Sequence, residues 1–366
     1  MKPLTAIAVS GGIDSLMAAH LLKRQGYPVV GIHFITGYED PVFEGHENTA
    51  PLTSDPSFLS KITDRALKKT SRIADQAGMR VELLNCAVEF KNIVVDYFTQ
   101  AYRSGRTPNP CLVCNPSIKF GALLSFARKL GASRLATGHY ARISKDTQGG
   151  YHLLKGLDRE KDQSYFLAMM TQSKLADACF PLGHMKKSEV RKLAGDRGLQ
   201  PVTQRESQDI CFIKGNTYGK FLSSQPGFEP KPGAIEDVLG NVLGAHKGLH
   251  LFTIGQRRGI NCPAPQPYYV VRIDTTRNRL IVGFKDDLLS SECNILNINW
   301  ITQKPAGPIR IHTRMRYRHD AAASTLFPVD GETALIRFDR PQSAITPGQG
   351  AVFYRDDEVL GGGWIA

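Results

Sequence analysis

The chain has 366 residues, of which 42% are hydrophobic, 22% charged and 8% aromatic. That composition excludes collagen-like, coiled-coil and disordered classes and leaves room for two or three globular domains. Lys and Arg number 46 against 34 Asp and Glu, a net charge of +12, which points beyond a merely basic enzyme to a polyanionic partner, with nucleic acid the leading candidate.

The N-terminal stretch MKPLTAIAVSGG carries one Lys and a short apolar run but no full hydrophobic leader. The longest uninterrupted apolar runs are strand-sized, so neither a signal peptide nor a membrane span is expected and the location is read as cytoplasmic. Residues 4–10 read as a strand, and 14–25 as a helix stopped by Gly26. Residues 28–35 read as a second strand and 37–56 as a long loop rich in Gly, Pro, Glu and Asp. A helix over 57–77 ending at Gly78, a strand over 80–85 and a helix over 87–103 follow. Residues 104–117 are turn-rich, 117–130 helical up to Gly131, and 133–140 a strand with an exposed end. Such alternation predicts an α/β fold with a doubly wound parallel sheet, whose ligands bind outside the carboxyl ends of the strands. From about residue 215 Gly and Pro become frequent, and 215–267 reads as a small mixed domain. The runs YYVVRI, RLIVGF, IRIHTRMRY, ETALIRF and GAVFY then predict a C-terminal antiparallel β-barrel. The expected domains are therefore 1–214, 215–267 and 268–366.

Ser10-Gly11-Gly12-Ile13-Asp14-Ser15 lies between the first strand and the first helix. Glycines there let the backbone approach an anion, which the free N–H groups and positive end of the helix then hold. The plainer reading is a glycine turn capped by Asp14. No G-K-[ST] follows and the G-x-G-x-x-G pattern is absent. The string resembles the pyrophosphate-releasing loop of the ATP pyrophosphatase superfamily, in which Asp14 would help hold magnesium on the pyrophosphate.

Seven cysteines are too few for a disulfide scaffold, and Cys111 and Cys114 form a single C-x-x-C pair with no second pair to complete a zinc site. The pair lies in Thr107-Pro108-Asn109-Pro110-Cys111-Leu112-Val113-Cys114-Asn115, and a further cysteine in Ser207-Gln208-Asp209-Ile210-Cys211-Phe212-Ile213. Cys114 just before a predicted helix, with Lys119 and Arg106 near in sequence, is a candidate for a depressed thiol pKa. Cys211 between apolar neighbours reads on its own as a buried small hydrophobe.

In order, SGGIDS, TPNPxxxCN followed by IKFG, ATGHY, KDQSYFL, DICFI, FTIGQRRGI, RMRYRH and TPGQGAVFY resemble the bacterial and organellar tRNA-specific 2-thiouridylase family over nearly the whole chain. The resemblance implies an N-terminal adenylation domain, a small central domain and a C-terminal β-barrel. It implies ATP-dependent replacement of the 2-oxygen of wobble uridine 34 by sulfur in tRNAs for Lys, Glu and Gln, with AMP and pyrophosphate released. ATP and magnesium are the implied cofactors, and tRNA plus a sulfur-relay protein or cysteine desulfurase the implied partners. Cys114 would be the nucleophile and Cys211 the persulfide carrier, the two closing a disulfide during turnover. Ala8, Val9, Ser10, Gly11, Gly12, Ile13, Asp14, Ser15, Phe34 and Gly138 would hold ATP. Asn109, Pro110 and Cys111 would meet the target base, and His139, Lys161, Asp162, Gln163, Arg316, Tyr317 and Gln349 the tRNA.

One position departs from the family pattern, which has Asp where this chain has Cys111. The change replaces a carboxylate of pKa near 4 by a thiol of about 8.5, a weaker base at neutral pH. Cys111, Cys114 and Cys211 together would also suit a 4Fe–4S cluster with one open iron. A small-molecule adenylating synthetase and a non-catalytic tRNA-binding or sulfur-carrier protein are the rival functional classes.

Overall fold

The computed structural model describes residues 2–38, 56–202, 210–213 and 218–366, with side chains from residue 63 onward in the second stretch. Nearly all of the loop expected over 37–56 falls outside these residues, as do Ser207, Gln208 and Asp209. The first sheet contains β1 (Thr5–Ala8), β2 (Val29–Ile35), β3 (Val81–Asn85), β4 (Arg134–Ala136) and, after a hairpin of β5 (Ala141–Lys145) and β6 (Tyr151–Lys155), β7 (Ala178–Cys179). Its order is β3-β2-β1-β4-β7 with every pairing parallel. The chain winds outward in one direction from β1 and in the other from β4, so the switch point lies beyond the carboxyl end of β1.

Both faces of the sheet are covered, as its apolar strands require. Ile7 and Val9 face α1 (Ile13–Arg24), which buries Leu16, Met17, Ala18, Ala19 and Leu22. Ala6 and Ala8 belong to the opposite core, with Phe90, Phe98, Leu112, Ile118 and Leu123. Between these lie α2 (Pro56–Ala77), α3 (87–103) and α4 (Pro110–Lys129). Gly26 and Gly78, at φ +77° and +57°, end α1 and α2 in the left-handed conformation that glycine tolerates best. α3 and α4 both widen to π-type turns, over Lys91–Val95 and Asn115–Leu123.

α4 corrects the sequence reading twice. It begins at Pro110, not at 117, because Asn109 occupies the N-cap position and proline is well placed in a first turn. It is also, among the described residues, the helix long and apolar enough by composition to cross a membrane, with 20 residues at mean hydropathy 1.2. Counting uninterrupted apolar runs passes over it because Asn115 and Lys119 interrupt it, and its Leu112, Ile118, Phe120, Leu123 and Leu124 are buried in the core.

The second sheet contains β8 (Gly233–Asp237), β9 (Val242–His246), β10 (Tyr269–Asp274) and β11 (Arg279–Gly283), ordered β10-β11-β8-β9. YYVVRI and RLIVGF therefore pair with the middle domain, through the parallel register of β11 on β8, and not with the barrel. A boundary at 268 would cut this sheet and its core of Ile235, Phe252, Val270, Leu280 and Val282. The third sheet contains β12 (Leu289–Trp300), β13 (Ile309–Arg314), β14 (Ala322–Pro328), β15 (Ala334–Ser343), β16 (Gly350–Arg355) and β17 (Glu358–Ile365). Antiparallel pairing of β12 with β17 closes it into the expected barrel. The β5–β6 hairpin leaves the first domain and extends the same sheet by pairing β6 with β17.

Candidate active site

β1 ends at Ala8, and Gly11 at φ +85° turns the chain into α1 with Gly12 at the N-cap. The loop is braced by its own hydroxyls. Ser15 Oγ donates to the Gly12 carbonyl at 2.9 Å and accepts from the Ser10 N–H at 3.3 Å, while Ser10 Oγ accepts from the Gly12 N–H at 3.3 Å. Gly138 follows β4, and a Cβ on it would stand 3.0 Å from both the Asp14 carbonyl carbon and the Ser15 nitrogen. Only a residue without a side chain lets that turn close on the loop. Phe34 lies near the carboxyl end of β2, beside β1.

Asp14 does not cap the helix. Lys187 Nζ donates to both its carboxylate oxygens at 2.6 Å, and the Tyr140 hydroxyl donates to Oδ1 at 2.8 Å. The Lys187 side chain is only 9% exposed, so the pair is strongly desolvated. Among the described residues no group of three or more His, Cys, Asp or Glu side chains is placed to hold a metal ion. The carboxylate expected to hold magnesium is thus committed to an ion pair, and magnesium does not fit Asp14 in this arrangement.

Cys111 and Cys114 lie three residues apart on the first turns of α4, a spacing that puts Cβ atoms about 5–6 Å apart on one helical face. The entry to this helix is clamped from the other domains. Gln349 Nε2 donates to the carbonyls of Thr107 and Pro108 at 2.9 and 3.1 Å, and the Thr107 N–H donates to the Pro347 carbonyl at 2.9 Å. Gly348, at φ +86°, has no room for a Cβ against Arg106 and Thr107. Cys211 joins the pair from a distant part of the sequence and interacts electrostatically with both thiols. It is exposed yet surrounded deeply by protein, as a residue lining a wet cleft is. Its neighbour Phe212 fixes it there, packed edge-on against Phe90 and Phe98 with centroids at 5.6 and 5.3 Å.

The thiol electrostatics run opposite to the expectation. Burial pushes Cys114 up to about 11 and raises Cys111 and Cys211 as well. Lys119 is the cation that pulls all three back down, whereas Arg106 acts on Tyr97. All seven cysteines are free. The three thiols share a cleft, but they do not form a ligand set among the described residues, so a 4Fe–4S cluster does not fit this arrangement.

Three family models cover the chain: a tRNA methyl transferase HUP domain over residues 4–215, a tRNA methyl transferase PRC-barrel domain over 219–284 and an aminomethyltransferase β-barrel domain over 290–365. A tRNA-specific 2-thiouridylase from Desulfosudis oleivorans is 47% identical over 364 residues, covering 100% of this chain and 95% of its own. Those from Geobacter metallireducens and Geotalea uraniireducens are 42% and 43% identical, each over 98% of this chain. The chain belongs to the tRNA-specific 2-thiouridylase family. Among solved structures, a 4-thiouridine synthetase–RNA complex with bound ATP aligns over 57% of this chain and 44% of that one, at 19% identity and a TM-score of 0.30, too low to carry an argument.

In this thiouridylase chain, the residues matched to tRNA contacts brace the fold. Asp162 is 2% exposed and accepts from the Gly156 and Ser164 N–H groups, the Ser164 hydroxyl and Arg314. Gln163 accepts from the Tyr140 N–H at 3.0 Å. Arg316 donates to the Ala344 carbonyl at 2.7 Å and to the Thr346 hydroxyl, tying the middle domain's neighbour loop to the barrel. Tyr317 packs on Phe166 with centroids 4.4 Å apart. Lys161 is half-buried, its N–H bonded to the Asp158 carbonyl. His139 is buried, with Nδ1 2.7 Å from Thr137 Oγ1 and Nε2 3.4 Å from Lys119 Nζ. Asn109 is buried beneath Tyr97, its N–H 3.4 Å from the phenol oxygen. Sequence reasoning missed Lys187 and Tyr140 as partners of Asp14. No local motif marks a lysine 173 residues away in the chain.

Proposed function

We propose that this chain catalyses ATP-dependent 2-thiolation of the wobble uridine of tRNA by way of an adenylated uridine and a cysteine persulfide. The observation that carries the reading is the segment 137–140, which touches both halves of the site. Gly138 abuts the anion-binding loop, the Tyr140 hydroxyl bonds to Asp14, and His139 bonds to Lys119 in the thiol cleft. Adenylation and sulfur delivery have to occur at one carbon atom, and this segment brings the two chemistries together.

The loop from Ala8 to Ser15 would hold the nucleotide phosphates with N–H groups and the helix end, Phe34 and Gly138 flanking them. The uridine 2-oxygen displaces pyrophosphate at the α-phosphorus, which turns it into a good leaving group. A Cys211 persulfide, loaded by a sulfur-relay protein or cysteine desulfurase, then supplies sulfur to C2 and AMP departs. Cys114 releases the transferred sulfur by forming a disulfide with Cys211, which an external thiol reduces. Asn109, Pro110 and Cys111 at the head of α4 would border the base, and tRNAs for Lys, Glu and Gln are the proposed set. The net charge of +12 supports a polyanionic substrate, so tRNA affinity should fall steeply along a salt series. The deciding experiment supplies ATP, a persulfide donor and unthiolated tRNA, and measures 2-thiouridine in digested nucleosides. Thiolation dependent on both Cys114 and Cys211 is expected. Its absence, with ATP consumed on a small molecule instead, would establish the synthetase reading.

A further inference from the structure

The three thiols of the cleft face one cation. Lys119 is the positive group acting on Cys111, Cys114 and Cys211, and among the described residues no Asp or Glu pairs with it. It sits half-buried on the π-widened stretch of α4, where Phe120 departs from helical geometry at φ −94° and ψ 18°. Such a bulge shifts the facing of the residues around it and recurs at functional sites. Lys119 Nζ lies 3.4 Å from His139 Nε2, while His139 Nδ1 lies 2.7 Å from Thr137 Oγ1 and the ring meets Phe180 edge-on. Lysine can only donate, so Nε2 is the acceptor, Nδ1 carries the proton and the Thr137 oxygen receives it.

We propose that Lys119, held in place by a neutral His139, is the residue that stabilises negative charge on the reacting sulfur in this cleft. The inference rests on the thiol transfer proposed above. It adds the group that makes a thiolate or persulfide anion tolerable in a site whose burial opposes one. Burial lowers His139 far below the ordinary histidine range, with Lys119 adding to the effect. The ring therefore stays neutral at working pH and does not compete for the anion. His139 is a positioning residue: it orients the ammonium and makes no contact with sulfur itself. The titratable groups facing one another here are Cys111, Cys114, Cys211, His139 and Lys119. The lysine contributes the one charge that all three thiols share.

The test is iodoacetamide alkylation of the full chain at several pH values, with each cysteine followed by mass spectrometry. Cys262, half-buried in the middle domain, serves as the internal reference. In Lys119→Met the alkylation of Cys114 and Cys211 should slow about tenfold or more near neutral pH, the effect of removing one nearby opposite charge, while Cys262 is unchanged. The rates should converge at high pH, and Lys119→Arg should restore most of the loss. Lys119→Gln provides a second neutral variant if the methionine variant melts early. Equal alkylation profiles in wild type and both neutral variants would overturn the proposal, as would an equal loss at Cys262 or in Lys119→Arg. Because alkylation needs neither ATP nor tRNA, failure of the thiolation reading would leave this result standing, and the reverse.

Discussion

The anion-binding loop and the thiol cleft lie on two sides of the segment 137–140, and they are built differently. The loop is one continuous strand–turn–helix whose hydrogen bonds run among Ser10, Gly12 and Ser15. The cleft is assembled from 109–114, Lys119, His139 and 210–213, and its entry is clamped by Gln349 from the barrel. A loop bonded to itself tolerates change elsewhere in the molecule. A cleft bonded across domains inherits every disturbance of their packing. The two should therefore fail separately.

The largest separation is expected from the cysteines. Cys114→Ala and Cys211→Ala should each lower thiolation on the order of 10³-fold or more while tRNA-dependent AMP formation persists. Loss of both activities together would mean that the two regions are not independent. Cys111→Asp should keep or raise thiolation, since a carboxylate is the better base at neutral pH.

Asp14→Ala attacks the loop from the other side. It should lower adenylation on the order of 10²-fold. It also leaves Lys187 with an uncompensated charge, so the melting temperature should fall. Adding Lys187→Met should restore the melting temperature without restoring adenylation. A double variant as unstable as the single one would show that the ion pair is not what Asp14 contributes.

Gln349→Ala tests the clamp. Losing its bonds to the Thr107 and Pro108 carbonyls should cost about 1–2 kcal/mol at the head of α4. Thiolation should drop severalfold with nucleotide affinity unchanged, as measured by titration calorimetry. A parallel loss of nucleotide binding would contradict the division.

The smallest effect is acid sensitivity of the loop. His33 Nδ1 donates to the Val9 carbonyl at 2.7 Å, and burial, aided by Lys69, lowers the ring to about 4. The folded form keeps it neutral, while the unfolded chain takes up a proton below about 6.5. Its contribution to stability is full above about pH 6.5 and is lost as the pH falls toward 4. His33→Gln should flatten that part of the stability curve, and an unchanged slope would remove His33 as its source.

The same difference in construction decides what could be read from the sequence. The loop is legible because all its determinants are consecutive: an apolar strand, two glycines, and a helix closed by Gly26. The strands of the second and third sheets are legible as strands, but not as members of a given sheet. Alternation in YYVVRI fixes two faces without naming a partner, and the partner β8 lies more than 30 residues upstream. Asp14 reads as a free carboxylate because its lysine comes from a distant helix. The thiol pKa direction was not legible at all. Cys114 near Lys119 in sequence suggests a stabilised thiolate, but burial by Phe212 and the surrounding core outweighs one cation.

β17 is paired on more than two sides: with β16, with β12 where the barrel closes, and with β6 from the first domain, through Glu358 opposite Leu154 and Val359 opposite Leu153. During synthesis the β5–β6 hairpin therefore leaves the ribosome some 200 residues ahead of the strand it must meet. Gln349, which fixes the head of α4, emerges only shortly before that strand. The order of translation thus holds the reactive thiols unclamped until almost everything else has been made, and the molecule becomes competent for sulfur transfer as one of the last events of its folding.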